Sequence, residues 1–321
     1  MDLINEIKKR ASLVDENIDE NHPILEPIEL YESSKYLFKA GGKRLRAVML
    51  LLVAEAIGKN QKEVLPLASS VELIHNFTLI HDDIMDNDDM RRGMPSVHIK
   101  WGIGKAILSG DVLYSKAFEL LAYNKEKPLQ MLKCIDVLSK ACVNICEGQW
   151  MDVEFEDFEI VREDEYLEMI EKKTAVLFGA AAYMGAIGSG ASDDVADALY
   201  EYGRLVGISF QIWDDVLDLT KLDDKIGKPV GSDLLKGKKT IIAIHALNKG
   251  VKIDIFGKGA ATKEEIYDAI KVLEDSGSIE YAKSFTMSYI NDAKAKLDVL
   301  EDSNAKNILM SLADYVIDRN Y

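Results

Sequence analysis

The spacing of apolar residues restricts the fold of this chain more than any other feature of its sequence. They recur three or four positions apart along almost all of the 321 residues. Such spacing puts apolar side chains on one side of a helix, and no alternating apolar and polar run of convincing length indicates a strand. With 48% hydrophobic residues the chain can bury a large core. The sequence predicts an all-α protein with one domain over residues 1–321.

Helix limits follow from the same spacing and from stretches rich in Gly, Lys, Asp and Pro, which predict connectors at 124–128, 221–239 and 249–262. An interruption of the second helix at Gly41-Gly42 is left open. The predicted helices are 2–18, 28–57, 61–87, 103–122, 129–156, 163–188, 192–221, 238–248, 263–275, 279–297 and 303–319.

Composition excludes several classes of function. The net charge of −16 gives no basic field for nucleic acid or an anionic membrane surface. The longest apolar stretches, 47–54 and 175–188, are shorter than the roughly 20 residues of a membrane span, and the first ten residues lack the apolar core of a signal peptide. We therefore expect a cytoplasmic protein. Cys134, Cys142 and Cys146 share a helix face without a CxxC pattern, which favours free thiols over a zinc or redox site.

Two copies of the motif DDxxD begin 132 positions apart, at Asp82-Asp83-Asp86 and at Asp214-Asp215-Asp218. On a helix the first and last aspartates of each copy share a face and repel each other by roughly 0.2–0.5 kcal/mol when exposed, and more when partly buried. A hard divalent cation would reverse this repulsion, and Mg²⁺ is commonly completed by substrate phosphates. A single copy could equally be a solvated helix end. Two copies, each after an apolar run, predict clusters that hold a diphosphate through metal ions.

Basic residues lie near both motifs in a chain that is otherwise acidic. GGKRLR at 41–46 places arginine forks, which match phosphate oxygens, after a flexible glycine pair. His75 lies two turns before the first motif, where a structural and a phosphate-binding role are both open, and Arg91-Arg92 could bind anions or form surface ion pairs. The segment 225–240 adds Lys228 and Lys238 and could close over a ligand.

In this order the motifs GGKRLR, HDDIMDNDDMRRG, GQWMD, KKTA, FQIWDDVLD and GKPVGSDLLKGKKT resemble those of trans-isoprenyl diphosphate synthases of the polyprenyl synthetase family, of the short-chain archaeal-like type. The resemblance covers about residues 30–245. It implies a helical bundle around a central cavity, the isoprenoid synthase type. It also implies head-to-tail condensation of isopentenyl diphosphate with an allylic diphosphate.

The resemblance assigns roles by motif position. It implies two or three Mg²⁺ ions ligated by Asp82, Asp86 and Asp214, with Asp83, Asp215 and Asp218 assisting in catalysis. Lys43, Arg46, His75 and Arg92 match the isopentenyl diphosphate site. The allylic diphosphate site is matched by Arg91, Lys173, Thr174, Gln211, Lys228 and Lys238.

Product length should depend on the residues that precede the first motif. Thr78 lies four residues before Asp82, roughly 6 Å along the helix, and the larger Phe77 lies one residue beyond. In the family's archaeal-like type this arrangement resembles enzymes that stop near C20, so geranylgeranyl diphosphate is the expected product and farnesyl diphosphate the alternative. For Phe77 alone, an ordinary core role is equally open.

Two other functions use similar features. A class I terpene cyclase also combines an aspartate-rich motif, Mg²⁺ and helices, but its second motif normally mixes Asn, Ser and Glu, and it needs no isopentenyl diphosphate site. A non-catalytic subunit of a partner synthase would typically have lost a motif. Fold analogy further suggests a homodimer.

Overall fold

The computed structural model describes residues 2–122, 127–220 and 230–318. Short 3₁₀ turns lie at Gln61–Glu63 and Leu297–Val299, and a π-helical turn lies at Glu171–Ala175. Strands β1 (Met90–Arg91) and β2 (Met94–Pro95) form an antiparallel hairpin. The helices are α1 (Leu3–Asn21), α2 (Ile28–Ser34), α3 (Tyr36–Lys39), α4 (Leu45–Ala56), α5 (Leu65–Met85), α6 (Val97–Trp101), α7 (Ile103–Ala122), α8 (Pro128–Asp157), α9 (Glu163–Ile170), α10 (Val176–Ser189), α11 (Asp193–Thr220), α12 (Ser232–Lys236), α13 (Ile241–Asn248), α14 (Lys263–Asp275), α15 (Ser278–Lys296) and α16 (Asn304–Asp318).

The prediction of an all-α fold is confirmed, and most helices lie within a few residues of their predicted limits. The predicted helix 28–57 is divided by a break at Gly41-Gly42 and by a second break at Lys35. The connector predicted at 221–239 is wrong at its end, because α12 forms between Gly231 and Gly237, whose φ angles are 71° and 72°. The hairpin and α6 were also not predicted.

The first compact unit comprises Met1–Cys142, Ala180–Tyr200 and Leu297–Ser311. Its centre is α4, in which every residue from Ala47 to Ala54 is fully buried, as expected for a core helix. Gly185 of α10 allows close packing there, because a Cβ at this position would lie 2.6 Å from the Leu50 carbonyl oxygen. α5 packs along α7, and this contact fixes the end of α5 that carries the first aspartate motif.

The second compact unit comprises Val143–Gly179, Glu201–Lys296 and Leu312–Tyr321. Its core contains residues of α9, α11 and α13, among them Tyr166 and Ile212. Gly203 and Gly207 bring α11 against the chain near the π turn: a Cβ at Gly207 would lie 2.6 Å from the Ala175 Cα. This close approach sets the second aspartate motif beside the lysine and threonine of that turn.

The three cysteines are free thiols, as predicted. Cys134 and Cys142 are buried and Cys146 is exposed, and burial raises the pKa of the Cys134 thiol to about 12. Cys134 is therefore an inert packing group. Within residues 2–122, 127–220 and 230–318, no helix has both the length and the apolar character needed to span a bilayer.

Candidate active site

The first aspartate motif lies at the C-terminal end of α5, and its three carboxylates have different surroundings. Asp82 and Asp86 are partly exposed, whereas Asp83 is fully buried. The Arg91 Nε donates to Asp83 Oδ1 at 2.8 Å. Burial raises the pKa of Asp83, and the Arg91 guanidinium offsets this only in part. Asp83 is thus held inside the protein while Asp82 and Asp86 can reach a ligand.

The β1–β2 hairpin places the two arginines that follow the motif. Arg92 has a left-handed φ of 52°, so its side chain leaves the hairpin in a different direction from that of Arg91. Its Nη1 donates to the Gly41 carbonyl oxygen. The adjacent arginines thus contact different groups: Arg91 contacts the aspartate motif and Arg92 the glycine pair.

The GGKRLR segment contains one buried and two more accessible cations. Arg44 is 3% exposed, and its Nε donates to Asp15 Oδ1 at 2.8 Å while its Nη2 donates to the Phe38 carbonyl oxygen at 3.0 Å. It therefore anchors the loop. Lys43 and Arg46 are partly exposed. Gly42 has a φ of 144°, a backbone conformation that favours glycine, and a Cβ there would lie 2.7 Å from the Nη1 atoms of both Arg44 and Arg92.

His75 is surrounded by positive charge. Its Nε2 lies 3.3 Å from Arg46 Nη1. Burial lowers the pKa of His75 well below 6.5, and Arg46, Arg92, Arg44 and Arg91 lower it further. The imidazole is therefore neutral at pH 7 and can accept from Arg46 through one nitrogen and donate through the other. A histidine and arginine cluster of this kind, in a chain of net charge −16, is a local concentration of positive charge that can attract an anion.

Phe77 and Thr78 lie on α5 before the first motif and are both partly exposed. The Phe77 ring makes edge-to-face contacts with His81 and Tyr114, at centroid distances of 4.7 and 5.3 Å, and Tyr114 continues the row to Phe118 at 5.1 Å. The Thr78 hydroxyl donates to a carbonyl of its own helix at 2.8 Å. An aromatic row thus extends from α5 along α7.

The second motif lies on α11 in the second unit, and its carboxylates also differ. Asp214 is partly exposed. Asp215 is 6% exposed, and burial raises its pKa well above the ordinary value. Asp218 caps α12: its Oδ1 accepts from the Ser232 hydroxyl at 2.9 Å and its Oδ2 from the Asp233 amide at 3.2 Å. The last aspartate of this motif therefore accepts hydrogen bonds from the first residues of the following helix.

The π turn orients Lys173 and Thr174. The Lys173 Nζ donates to Asp152 Oδ2 of α8 at 2.5 Å. Burial raises the pKa of Asp152, but Lys173 and Lys238 prevail and hold it below the ordinary value. The Thr174 hydroxyl donates to Gln211 Oε1 at 3.0 Å. Single π turns are frequent at functional sites because they change the direction of side chains within a continuous helix.

Several of these groups line a small open pocket of about 80 Å³ within the second unit. Lys228 lies outside the described residues, so its predicted place is not described. The pocket contains Lys173, Gln211, Asp215 and Lys238 from the predicted site and adds polar residues that had no assigned role. The added residues are Asp152, Glu156, Tyr166, Asp233, Lys239 and Thr240. Asp152 stands in the GQWMD motif and could have been selected from it, whereas Tyr166 carries no signal in the sequence.

The carboxylates suit a hard cation only together with a further ligand. In the part of the chain that the structure describes, no three His, Cys, Asp or Glu side chains form a complete metal site. Asp82, Asp86 and Asp214 nevertheless supply the oxygen donors that Mg²⁺ prefers, and Mg²⁺ retains several waters and commonly takes substrate phosphates as ligands. The carboxylate oxygens of each unit, taken separately, therefore fit Mg²⁺ that is completed by water and a diphosphate.

The helical fold, the carboxylate motifs and the basic clusters together define a class of all-helical enzymes that bind anionic substrates. The chain belongs to the polyprenyl synthetase family, whose model matches residues 27–273. The prediction of a prenyl diphosphate synthase made from its motifs is thereby confirmed.

Relatives resemble the chain over almost its whole length. It is 59% identical to a geranylgeranyl diphosphate synthase of Methanosarcina mazei, over 100% of this chain and 99% of that protein. It is 42% identical to a geranylfarnesyl diphosphate synthase of Natronomonas pharaonis, over 98% and 97%. A solved geranylgeranyl pyrophosphate synthetase of Geoglobus acetivorans has a TM-score of 0.93 and 46% identity, over 98% and 99%. The alternatives of a terpene cyclase and a non-catalytic subunit are not favoured.

Proposed function

We propose that the chain condenses isopentenyl diphosphate with allylic diphosphates of C5 to C15 and releases geranylgeranyl diphosphate. The different surroundings of the six motif aspartates carry this proposal. Asp83 and Asp215 are buried and bonded to Arg91 and Tyr166, and Asp218 caps α12. Asp82, Asp86 and Asp214 are partly exposed. Those three match the family's metal ligands. The names of the relatives support the C20 product.

Asp82 and Asp86 of the first unit and Asp214 of the second are the proposed ligands of two or three Mg²⁺ ions. When bound, Mg²⁺ neutralises the diphosphate and makes it a better leaving group. Asp83 assists indirectly, because its ion pair with Arg91 fixes both the motif and the arginine. Asp218 assists through the cap that holds α12.

Lys43, Arg46, His75 and Arg92 are the proposed site of isopentenyl diphosphate. The arginines stay charged at any physiological pH, and their planar forks match diphosphate oxygens. The contact between Arg46 and His75 supports a shared task for these side chains. The neutral imidazole adds a hydrogen-bond donor without adding to the repulsion among the arginines.

Arg91, Lys173, Thr174, Gln211, Lys228 and Lys238 are the proposed site of the allylic substrate. Lys173 and Lys238 lie in one pocket with Gln211, which supports a common ligand. Their positive charges would stabilise the diphosphate as negative charge develops on it. The oxygens of Thr174 and Gln211 would stabilise the allylic cation as dipoles, because neither is nucleophilic enough to trap it.

The proposed reaction follows from these placements. The allylic C–O bond breaks and diphosphate leaves with the electron pair. The double bond of isopentenyl diphosphate then forms a C–C bond to the allylic cation, and the resulting cation loses a proton to the departed diphosphate. The basic side chains would bind both diphosphates, and the bimolecular step requires that the two substrates are held close together.

A homodimer is also proposed. α8 exposes large apolar side chains at Leu129, Leu132, Val143 and Trp150, which are 71%, 61%, 58% and 68% exposed. Their spacings of three, eleven and seven residues place them along one side of the helix. Such a stripe is typical of an interface. The single domain over 1–321 and the cytoplasmic location remain predictions.

Incubation of the purified chain with Mg²⁺, isopentenyl diphosphate and each of the C5, C10 and C15 allylic diphosphates tests the proposal. We expect a C20 product from each primer and no turnover after removal of divalent ions by EDTA. Consumption of an allylic diphosphate without isopentenyl diphosphate would instead indicate a cyclase. A chain that is inactive alone but activates another synthase would indicate a regulatory subunit.

A further inference from the structure

We propose that Tyr166 is a positioning residue for the condensation, because its hydroxyl fixes the Asp215 carboxylate and, through it, the amide of Gln211. This inference rests on the proposed function. Tyr166 lies on α9, eight residues before Thr174, and is 2% exposed. It has no part in the roles assigned above.

Four side chains form one continuous hydrogen-bonded chain. The Tyr166 hydroxyl donates to Asp215 Oδ2 at 2.6 Å. Asp215 Oδ1 accepts from Gln211 Nε2 at 3.3 Å. Gln211 Oε1 then accepts from the Thr174 hydroxyl at 3.0 Å. Each oxygen of the carboxyl group thus has its own donor, one from α9 and one from α11.

The hydroxyl of Tyr166 is needed because the Asp215 carboxyl group is buried. Asp215 is 6% exposed, and each of its oxygens has one donor in the hydrogen-bonded chain. A buried acceptor that loses its donor is costly, so without the hydroxyl the carboxyl group would rotate to find another partner. The 3.3 Å contact with Gln211 is the weaker of its two bonds and would be lost first.

Loss of that contact would affect the pocket. The Gln211 amide is oriented by one contact at each end: its NH₂ group faces Asp215 and its oxygen faces Thr174. When the Asp215 end is released, the amide can turn and direct N–H groups toward the place where the allylic cation forms. Such groups would repel the cation instead of stabilising it. Tyr166 therefore acts on the reaction through Gln211.

The backbone makes this arrangement rigid. α9 and the π turn are consecutive, so Tyr166 and Thr174 belong to one helical run, and both bond to side chains of α11. Gly207 keeps α11 within van der Waals contact of Ala175 in the π turn. The four side chains thus close a ring between two segments whose separation is fixed, and rigidly supported groups hold a catalytic geometry best.

The test combines Tyr166→Phe, Gln211→Leu and the double variant in steady-state assays of the purified chain. Tyr281→Phe is the matched control, since its hydroxyl donates to Glu163 Oε2 at 2.9 Å in the same unit but does not line the pocket. We expect Tyr166→Phe to lower kcat by about tenfold or more and to change each KM by less than about twofold. In the Gln211→Leu background the same change should lower kcat by less than about twofold. Tyr281→Phe should leave kcat unchanged.

Independent effects of the two substitutions, multiplied in the double variant, would overturn the inference. So would a raised KM with unchanged kcat, or an equal loss of kcat in Tyr281→Phe. If Tyr166→Phe does not fold, Asp215→Ala gives the decision: it removes the acceptor of the Gln211 NH₂ group, and an undiminished kcat would overturn the inference. A wild-type chain that does not consume isopentenyl diphosphate would instead refute the proposed function.

Discussion

Replacing Phe77 by alanine should lengthen the product. Phe77 lies five residues before Asp82, about 7.5 Å along α5 at roughly 1.5 Å per residue. Its ring is held against His81 and Tyr114. Removal of the phenyl ring deletes about six carbon atoms, which is close to one isoprene unit of about five. We therefore expect the main product to change from C20 to C25, with some longer chains.

The same substitution should cost only moderate stability. A fully buried phenylalanine replaced by alanine costs about 3–5 kcal/mol, and each edge-to-face contact contributes about 0.5–1.5 kcal/mol. Phe77 is partly exposed, so we expect a loss of about 1–3 kcal/mol in the free energy of unfolding. The variant should remain folded at the assay temperature, which thermal unfolding will check.

The assay uses farnesyl diphosphate as primer with labelled isopentenyl diphosphate and separates the hydrolysed products by chain length. Thr78→Ala is the matched control and should leave the distribution unchanged, because its hydroxyl bonds only to its own helix among the contacts described for it. Thr78→Phe places a ring one residue nearer the motif and should shorten the product toward C15. An unchanged distribution in Phe77→Ala would show that Phe77 is an ordinary packing residue.

Three further predictions concern other parts of the chain. Gly148→Ala would place a Cβ 2.3 Å from a backbone nitrogen of the π turn. It should therefore lower the free energy of unfolding by about 1–3 kcal/mol and also lower kcat. Gly104→Ala, whose Cβ would have no atom within 4 Å, should lower neither. Burial lowers the pKa of His22 to about 4, so the unfolded chain binds more protons than the folded chain between pH 4 and 6.5. The free energy of unfolding should therefore fall by about 3 kcal/mol as the pH falls through this range. An equal dependence of the unfolding free energy on pH in His22→Gln would contradict this prediction. Asp218→Ala should lower the free energy of unfolding by about 1 kcal/mol, because the cap of α12 is lost. Asp214→Ala should lower kcat about 100-fold at nearly unchanged unfolding free energy. Equal changes of kcat and of unfolding free energy in the two variants would refute the different roles assigned to these aspartates.

The sequence predicts the fold well where helices are long. Periodic apolar spacing accumulates over many turns, and α7 and α14 begin and end at the predicted residues. α12 has five residues, too few for a periodic signal, and its limits depend on the conformation of two glycines. The π turn is invisible for a related reason: one additional residue within a helix does not disturb a pattern counted over longer windows.

The sequence predicted which types of residue form the candidate site, but not the contacts and burial of each side chain. The two motifs have the same letters, yet Asp83 is held by Arg91 and Asp218 caps a helix. Arg44 stands between two proposed ligand-binding residues and is instead a buried anchor. Tyr166 was missed because a single tyrosine on a helix gives no signal until its partner, Asp215, is seen beside it. Such assignments depend on contacts between distant segments.

The five-residue turn at Glu171–Ala175 makes the pocket depend on how many residues the chain has as well as on which ones. Each residue of an α-helix advances the side-chain direction by about 100°. Loss of the Glu171 codon would restore an ordinary helix and rotate the preceding residues, including Tyr166, by about that angle away from α11. All motif residues would still be present after such a deletion. A gene that carries it would therefore look intact when only its motifs are compared, and would still encode a disordered pocket.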